Sequence, residues 1–83
     1  MNATNATTAS AAPAPEVTRL RVLLRERKFT AVLEAGAALL AASPGERDAL
    51  LCVAVAQRFL GRLPEALRTL ATLEQHHPRF SRL

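Results

Sequence analysis

The sequence predicts an all-α protein made of paired antiparallel helices, and three observations lead there. Alanine and leucine dominate while β-branched and aromatic residues are scarce, with aromatics at only 4%, a balance that favours helix over strand. Apolar residues return at three- and four-residue spacing in separate stretches. Proline and glycine punctuate those stretches so regularly that matching positions recur at one constant offset, the step from Pro44 to Pro78.

The chain of 83 residues makes at most one small domain. At 49% apolar residues it is too hydrophobic to stay wholly unfolded. No uncharged apolar run reaches the roughly 18 residues that span a bilayer, so no membrane partner is expected. A single cysteine excludes a disulfide framework and a cysteine-based zinc site.

Residues 1–15 carry no charged side chain and almost no large apolar group. Such a segment cannot bury enough surface to offset its chain entropy, so a disordered tail is expected. It lacks the basic start and apolar centre of a secretory signal. Asn2-Ala3-Thr4 and Asn5-Ala6-Thr7 match the glycosylation pattern, but without an export signal they read as chance. The expectation is a cytoplasmic protein with a reduced thiol at Cys52.

The first helix is expected over 16–27, where Val17, Leu20, Leu23 and Leu24 share one face and Arg19 and Glu26 oppose it. The second runs from Thr30, read as its N-cap, to Ala42. Ser43-Pro44-Gly45-Glu46 stops it and starts the third, with Ser43 as cap, Pro44 in the first turn and Glu46 closing a capping box. The third helix, Arg47 to Leu60, is apolar on nearly every side and must be covered from more than one direction. Gly61 ends it as a left-handed residue would. Pro64 and Glu65 open the fourth, whose face of Ala66, Leu67, Leu70 and Leu73 is apolar, and Pro78 closes it by about His77.

At the Pro44-to-Pro78 offset Phe29 matches Leu63, Val32 matches Ala66, Leu33 matches Leu67, Leu39 matches Leu73 and Leu20 matches Ala54. Two helices per unit at a period of about 34 residues resemble the tetratricopeptide repeat (TPR). The resemblance implies an α-α superhelix fragment: a degenerate first repeat at 16–44, a second at 45–78, and the start of a truncated third at 79–83. The first unit departs from the pattern, with Arg27-Lys28 in place of a turn glycine and Gly36 inside a helix, at a cost of about 1 kcal/mol relative to alanine. Repeats cover one another's apolar faces, so Leu60, Leu67, Leu70 and Phe80 are expected at an uncovered end. Truncation of a longer protein is favoured over an oligomer or a marginal small protein.

The runs Ala54-Val55-Ala56-Gln57-Arg58-Phe59-Leu60-Gly61 and His77-Pro78-Arg79-Phe80-Ser81-Arg82-Leu83 resemble the N-terminal repeats of bacterial TPR-containing sulfotransferases. In that family an array of repeats precedes a catalytic α/β domain that uses 3′-phosphoadenylyl sulfate. The resemblance implies a scaffold segment, because none of the family's donor-binding or catalytic residues has a counterpart here. The cofactor belongs to the picture only if the parent is such an enzyme.

No catalytic constellation emerges from these residues. Gly36, Gly45 and Gly61 are too far apart for a phosphate loop. His76 and His77 are adjacent, so on a helix their rings diverge by about 100° and chelate one metal poorly. Cys52 sits on an apolar helix as an inert thiol. The expected function is a scaffold that binds a protein or peptide, its groove lined by the first helix of each unit: Arg21, Arg25, Leu51, Val55 and Arg58. Arg21 and Arg25 share a face and could grip carboxylates or sulfates. Some family members clamp a C-terminal carboxylate with an asparagine where Val55 stands, so that clamp is not expected. A stand-alone helical adaptor is the alternative. A binder of nucleic acid or anionic surfaces ranks last. Residues 16–28 do set five cations against two carboxylates, but no tryptophan or tyrosine is present for base stacking. Phe29, Phe59 and Phe80 fall at core-like positions.

Overall fold

The computed structural model describes residues 15–78. Four α-helices follow in order: α1 (Pro15–Arg25), α2 (Phe29–Ala42), α3 (Arg47–Phe59) and α4 (Leu63–His76). No strand occurs among the described residues. The expected tail and the expected onset of a third unit at 79–83 lie outside the described residues, save that Pro15 opens α1. Proline suits a first helical position because its missing N–H would lack a partner there anyway.

The turns explain why the helices stop where they do. At the end of α1, Lys28 N–H donates to Leu23 O at 2.9 Å and Arg27 N–H to Leu24 O at 3.0 Å. This double closure needs a left-handed residue between helix and exit, and Arg27 supplies it at φ 62°. At the end of α3 the same pair of bonds forms from Arg62 to Gln57 O and from Gly61 to Arg58 O, with Gly61 at φ 79°. Arg27 and Gly61 are separated by the same step as Pro44 and Pro78. The N-caps Lys28 (φ −92°, ψ 71°) and Arg62 (φ −95°, ψ 64°) share a backbone conformation, as do the C-caps Ser43 (φ −138°, ψ 81°) and His77 (φ −140°, ψ 69°). Bond for bond, the main chain at the ends of α2 recurs one step later at the ends of α4.

Two expected caps are corrected. Thr30 does not cap α2: that helix begins at Phe29, and Lys28 is its N-cap with no side-chain bond. Its approach is fixed by the preceding left-handed turn, which leaves no site for a threonine cap. Ser43 does not cap α3 either. Ser43-Pro44-Gly45-Glu46 closes as a turn, with Glu46 N–H on Ser43 O at 3.0 Å. Glu46 is itself the N-cap, its Oε1 accepting from Ala49 N–H at 2.7 Å. A carboxylate there meets both an orphan donor and the positive end of the helix dipole.

α3 lies against α1, α2 and α4, as its apolar circumference demands. Leu20 and Val32 pack with Ala49, Cys52 and Ala56 into a core that Leu23, Leu24, Phe29, Leu33 and Leu39 surround. Gly36 lets α2 and α3 meet closely: a Cβ there would collide with Val53 Cγ2. Helix propensity alone would disfavour this glycine, and the close approach accounts for it. α4 is tied to α3 by Thr69, whose hydroxyl donates to Gln57 Oε1 at 2.7 Å. At the other end of α4, His77 Nε2 sits 2.7 Å from Gly45 O. The His76 ring packs against the same turn, where a Cβ on Gly45 would have to be.

Candidate interaction surface

α1 and α3 carry the five expected groove residues, and the structure deals with them unequally. Arg21 reaches across to α3, its Nη2 3.1 Å from Asp48 Oδ1, while Arg47 approaches the other Asp48 oxygen at 3.8 Å. Arg21 therefore ties two helices together as well as facing solvent. Arg25, one turn further along α1, is exposed. Leu51 is half-buried on α3. Val55 and Arg58 border a trough between α3 and α4, whose remaining walls are Ala54, Leu63, Ala66, Leu67 and Leu70. Arg21, Arg25 and Leu51 do not line that trough.

The trough is apolar by construction. Ala54 and Ala66 are buried and form its floor, their small side chains leaving the space between the helices open. Leu63, Leu67 and Leu70 stand along one wall with 56%, 66% and 40% of their surface exposed. Leu60, Leu67 and Leu70, expected at an uncovered end, are exposed, while Phe80 lies outside the described residues. The sequence reading missed Leu63 as a member of that surface. Its signal was available, because Leu63 follows Phe29 by the Pro44-to-Pro78 offset.

Phe59 differs from its expected core position. It is 52% exposed and stacks on Phe29 with ring centroids 4.9 Å apart and planes within 3°. The Arg27 guanidinium lies over both rings, at 5.7 and 5.5 Å from their centroids. The left-handed residue of the first turn is thus held by two aromatic faces, an attraction of about 0.5–1 kcal/mol at an exposed site.

Cys52 is buried among core side chains. Burial pushes its thiol above the ordinary 9.0, the charge of Asp48 adds to the rise, Arg21 opposes it, and Glu46 adds again. A protonated, enclosed thiol is a poor nucleophile. Among the described residues no group of three or more histidine, cysteine or carboxylate side chains could hold a metal, and no helix is long and apolar enough to cross a membrane.

Compared with models of protein families, with curated proteins and with solved structures, the chain finds no match.

Proposed function

We propose that the chain is a tetratricopeptide-type helical-repeat scaffold that binds a protein or peptide. One observation supports this above the rest: the helix-ending bonds, cap conformations and left-handed residues of the first hairpin recur in the second, at Arg27 and again at Gly61. A fold assembled from such units offers the faces of its first helices to a partner. α1 and α3 are those helices here. Arg21 and Arg25 supply cations on one side, and Leu51, Val55 and Arg58 supply an apolar strip ending in a third cation. An extended acidic peptide suits this combination, because guanidinium groups take carboxylates in a two-point grip. Arg21 would exchange Asp48 for the partner's carboxylate, an exchange of like for like.

The resemblance to sulfotransferase repeats extends the proposal. In a parent of that kind the scaffold would present a protein substrate to a sulfuryl-transfer domain. Reading the coding sequence beyond codon 83 tests it: a sulfotransferase domain in frame supports the extension, and a stop codon removes it without touching the scaffold reading.

The scaffold reading is tested with a library of fluorescent Asp- and Glu-rich extended peptides titrated against the protein. Members that bind should lose at least tenfold in affinity to the Arg21→Ala/Arg25→Ala double variant. Absence of binding, or affinity indifferent to both arginines, discards the reading.

A further inference from the structure

We propose that the trough between α3 and α4 is a docking site for an amphipathic helix of a partner protein. That helix carries small apolar residues at three- and four-residue spacing and an alanine or glycine where it faces Leu70. The trough shares Val55 and Arg58 with the peptide groove, but it needs neither Arg21 nor Arg25.

The occupant is read from the molecule's own packing. Moving each residue of the trough back by one step of the Pro44-to-Pro78 offset turns Ala54, Val55, Arg58, Leu63, Ala66, Leu67 and Leu70 into Leu20, Arg21, Leu24, Phe29, Val32, Leu33 and Gly36. These are the residues that seat α3. Leu20 and Val32 pack with it in the core, Leu24, Phe29 and Leu33 surround it, and Gly36 receives Val53. Phe29 stacks on Phe59, and Arg21 pairs with Asp48. The first seat is filled by a helix. The second repeats the turn bonds and cap conformations of the first, its lining is apolar apart from Arg58, and its leucines are exposed.

The differences between the two seats define what the second accepts. Leu70 occupies the place of Gly36, so a residue as large as Val53 no longer fits there and only alanine or glycine does. Val55 replaces Arg21, which removes the partner for an acid at the position of Asp48. Leu63 replaces Phe29, which exchanges ring stacking for aliphatic contact.

A second copy of the chain is the poorer occupant on two grounds. Its own α1 is the displaced counterpart of α3, but it offers Thr18 and Arg19, both exposed, where α3 offers Cys52 and Val53. Arg19 would meet Leu70. Two troughs pressed face to face fare no better: each carries Arg58 and neither is lined by a carboxylate, so like charges would enter one interface uncompensated.

The probe is a fluorescein-labelled synthetic peptide spanning Glu46–Leu60 with Val53→Ala, titrated against the 83-residue protein by anisotropy. Saturable binding is expected. It should weaken at least tenfold in Leu67→Asp and independently in Leu63→Asp, both at exposed positions, with far-UV circular dichroism unchanged. The same peptide with Val53 intact should bind several-fold more weakly, and Leu70→Ala in the receiving protein should erase that difference. The proposal is overturned by a lack of saturable binding or by binding that both aspartate variants leave intact. It is equally overturned if sedimentation shows a homodimer that Leu67→Asp dissociates. Loss of acidic-peptide binding in the arginine variant has no bearing on these outcomes, so the two readings fail separately.

Discussion

Two residues in equivalent turns, Arg27 and Gly61, hold the same left-handed backbone on different terms. Gly61 adopts φ 79° with no atom within 4 Å of where a Cβ would stand, so Gly61→Ala adds backbone strain and nothing else. The expected loss is about 1–2 kcal/mol, read as a lower urea midpoint at unchanged slope. Arg27 carries that strain already at φ 62°, offset by the two aromatic rings under its guanidinium. Glycine at Gly61 was legible from its place between two helical patterns. The left-handed arginine was not, because its support comes from Phe59 on another helix. Cys52 carries a second residue-scale expectation. Its thiol is held above the ordinary value, chiefly by burial, so the folded state keeps the proton that the unfolded chain gives up. That contribution is fully present below the unfolded pKa and is lost as pH rises from there through the folded pKa. Urea midpoints should therefore fall as pH rises past the ordinary thiol value, and Cys52→Ala should flatten that alkaline limb. An equal fall in the alanine variant would remove Cys52 from the explanation.

At the scale of the elements, α2 and α3 are fitted to each other at one point. Gly36 costs α2 about 1 kcal/mol of helix propensity relative to alanine, yet an added methyl would enter the space of Val53. Gly36→Ala should destabilise the protein despite its better propensity. In the Val53→Ala background the same substitution should become neutral or stabilising. The coupling in the double-mutant cycle should lie in the range of roughly 0.5–3 kcal/mol that contacting residues show; additive effects would contradict the contact. The four helices themselves could be read from the sequence to within a residue or two, since apolar spacing and Gly61, Pro64 and Pro78 mark most of their limits. The caps could not. Ser43-Pro44-Gly45-Glu46 offers two capping carriers in one tetrapeptide, and only the turn that joins Glu46 N–H to Ser43 O decides for Glu46. Gly36 was equally opaque, because its reason lies on the following helix.

Across the whole molecule, the helix-end bonds and left-handed residue of the first hairpin recur in the second, and α3 packs on the first hairpin while Leu63, Leu67 and Leu70 stay exposed on the second. The sequence announced the open end through Leu60, Leu67 and Leu70, whose apolar spacing has no local partner. It did not announce which cations are engaged, since the Arg21–Asp48 pair joins residues that periodicity treats as separate surfaces. Exposed on at least one side, that pair contributes about 0.5 kcal/mol to stability, which leaves Arg21 able to change partners. The equivalence of the two hairpins is tested most directly by residual dipolar couplings of the backbone amides of residues 15–42 and 49–76 in the full chain. One hairpin geometry should satisfy both sets, with positive φ at Arg27 as well as at Gly61. Couplings that demand two different hairpins, or a right-handed Arg27, would contradict the account.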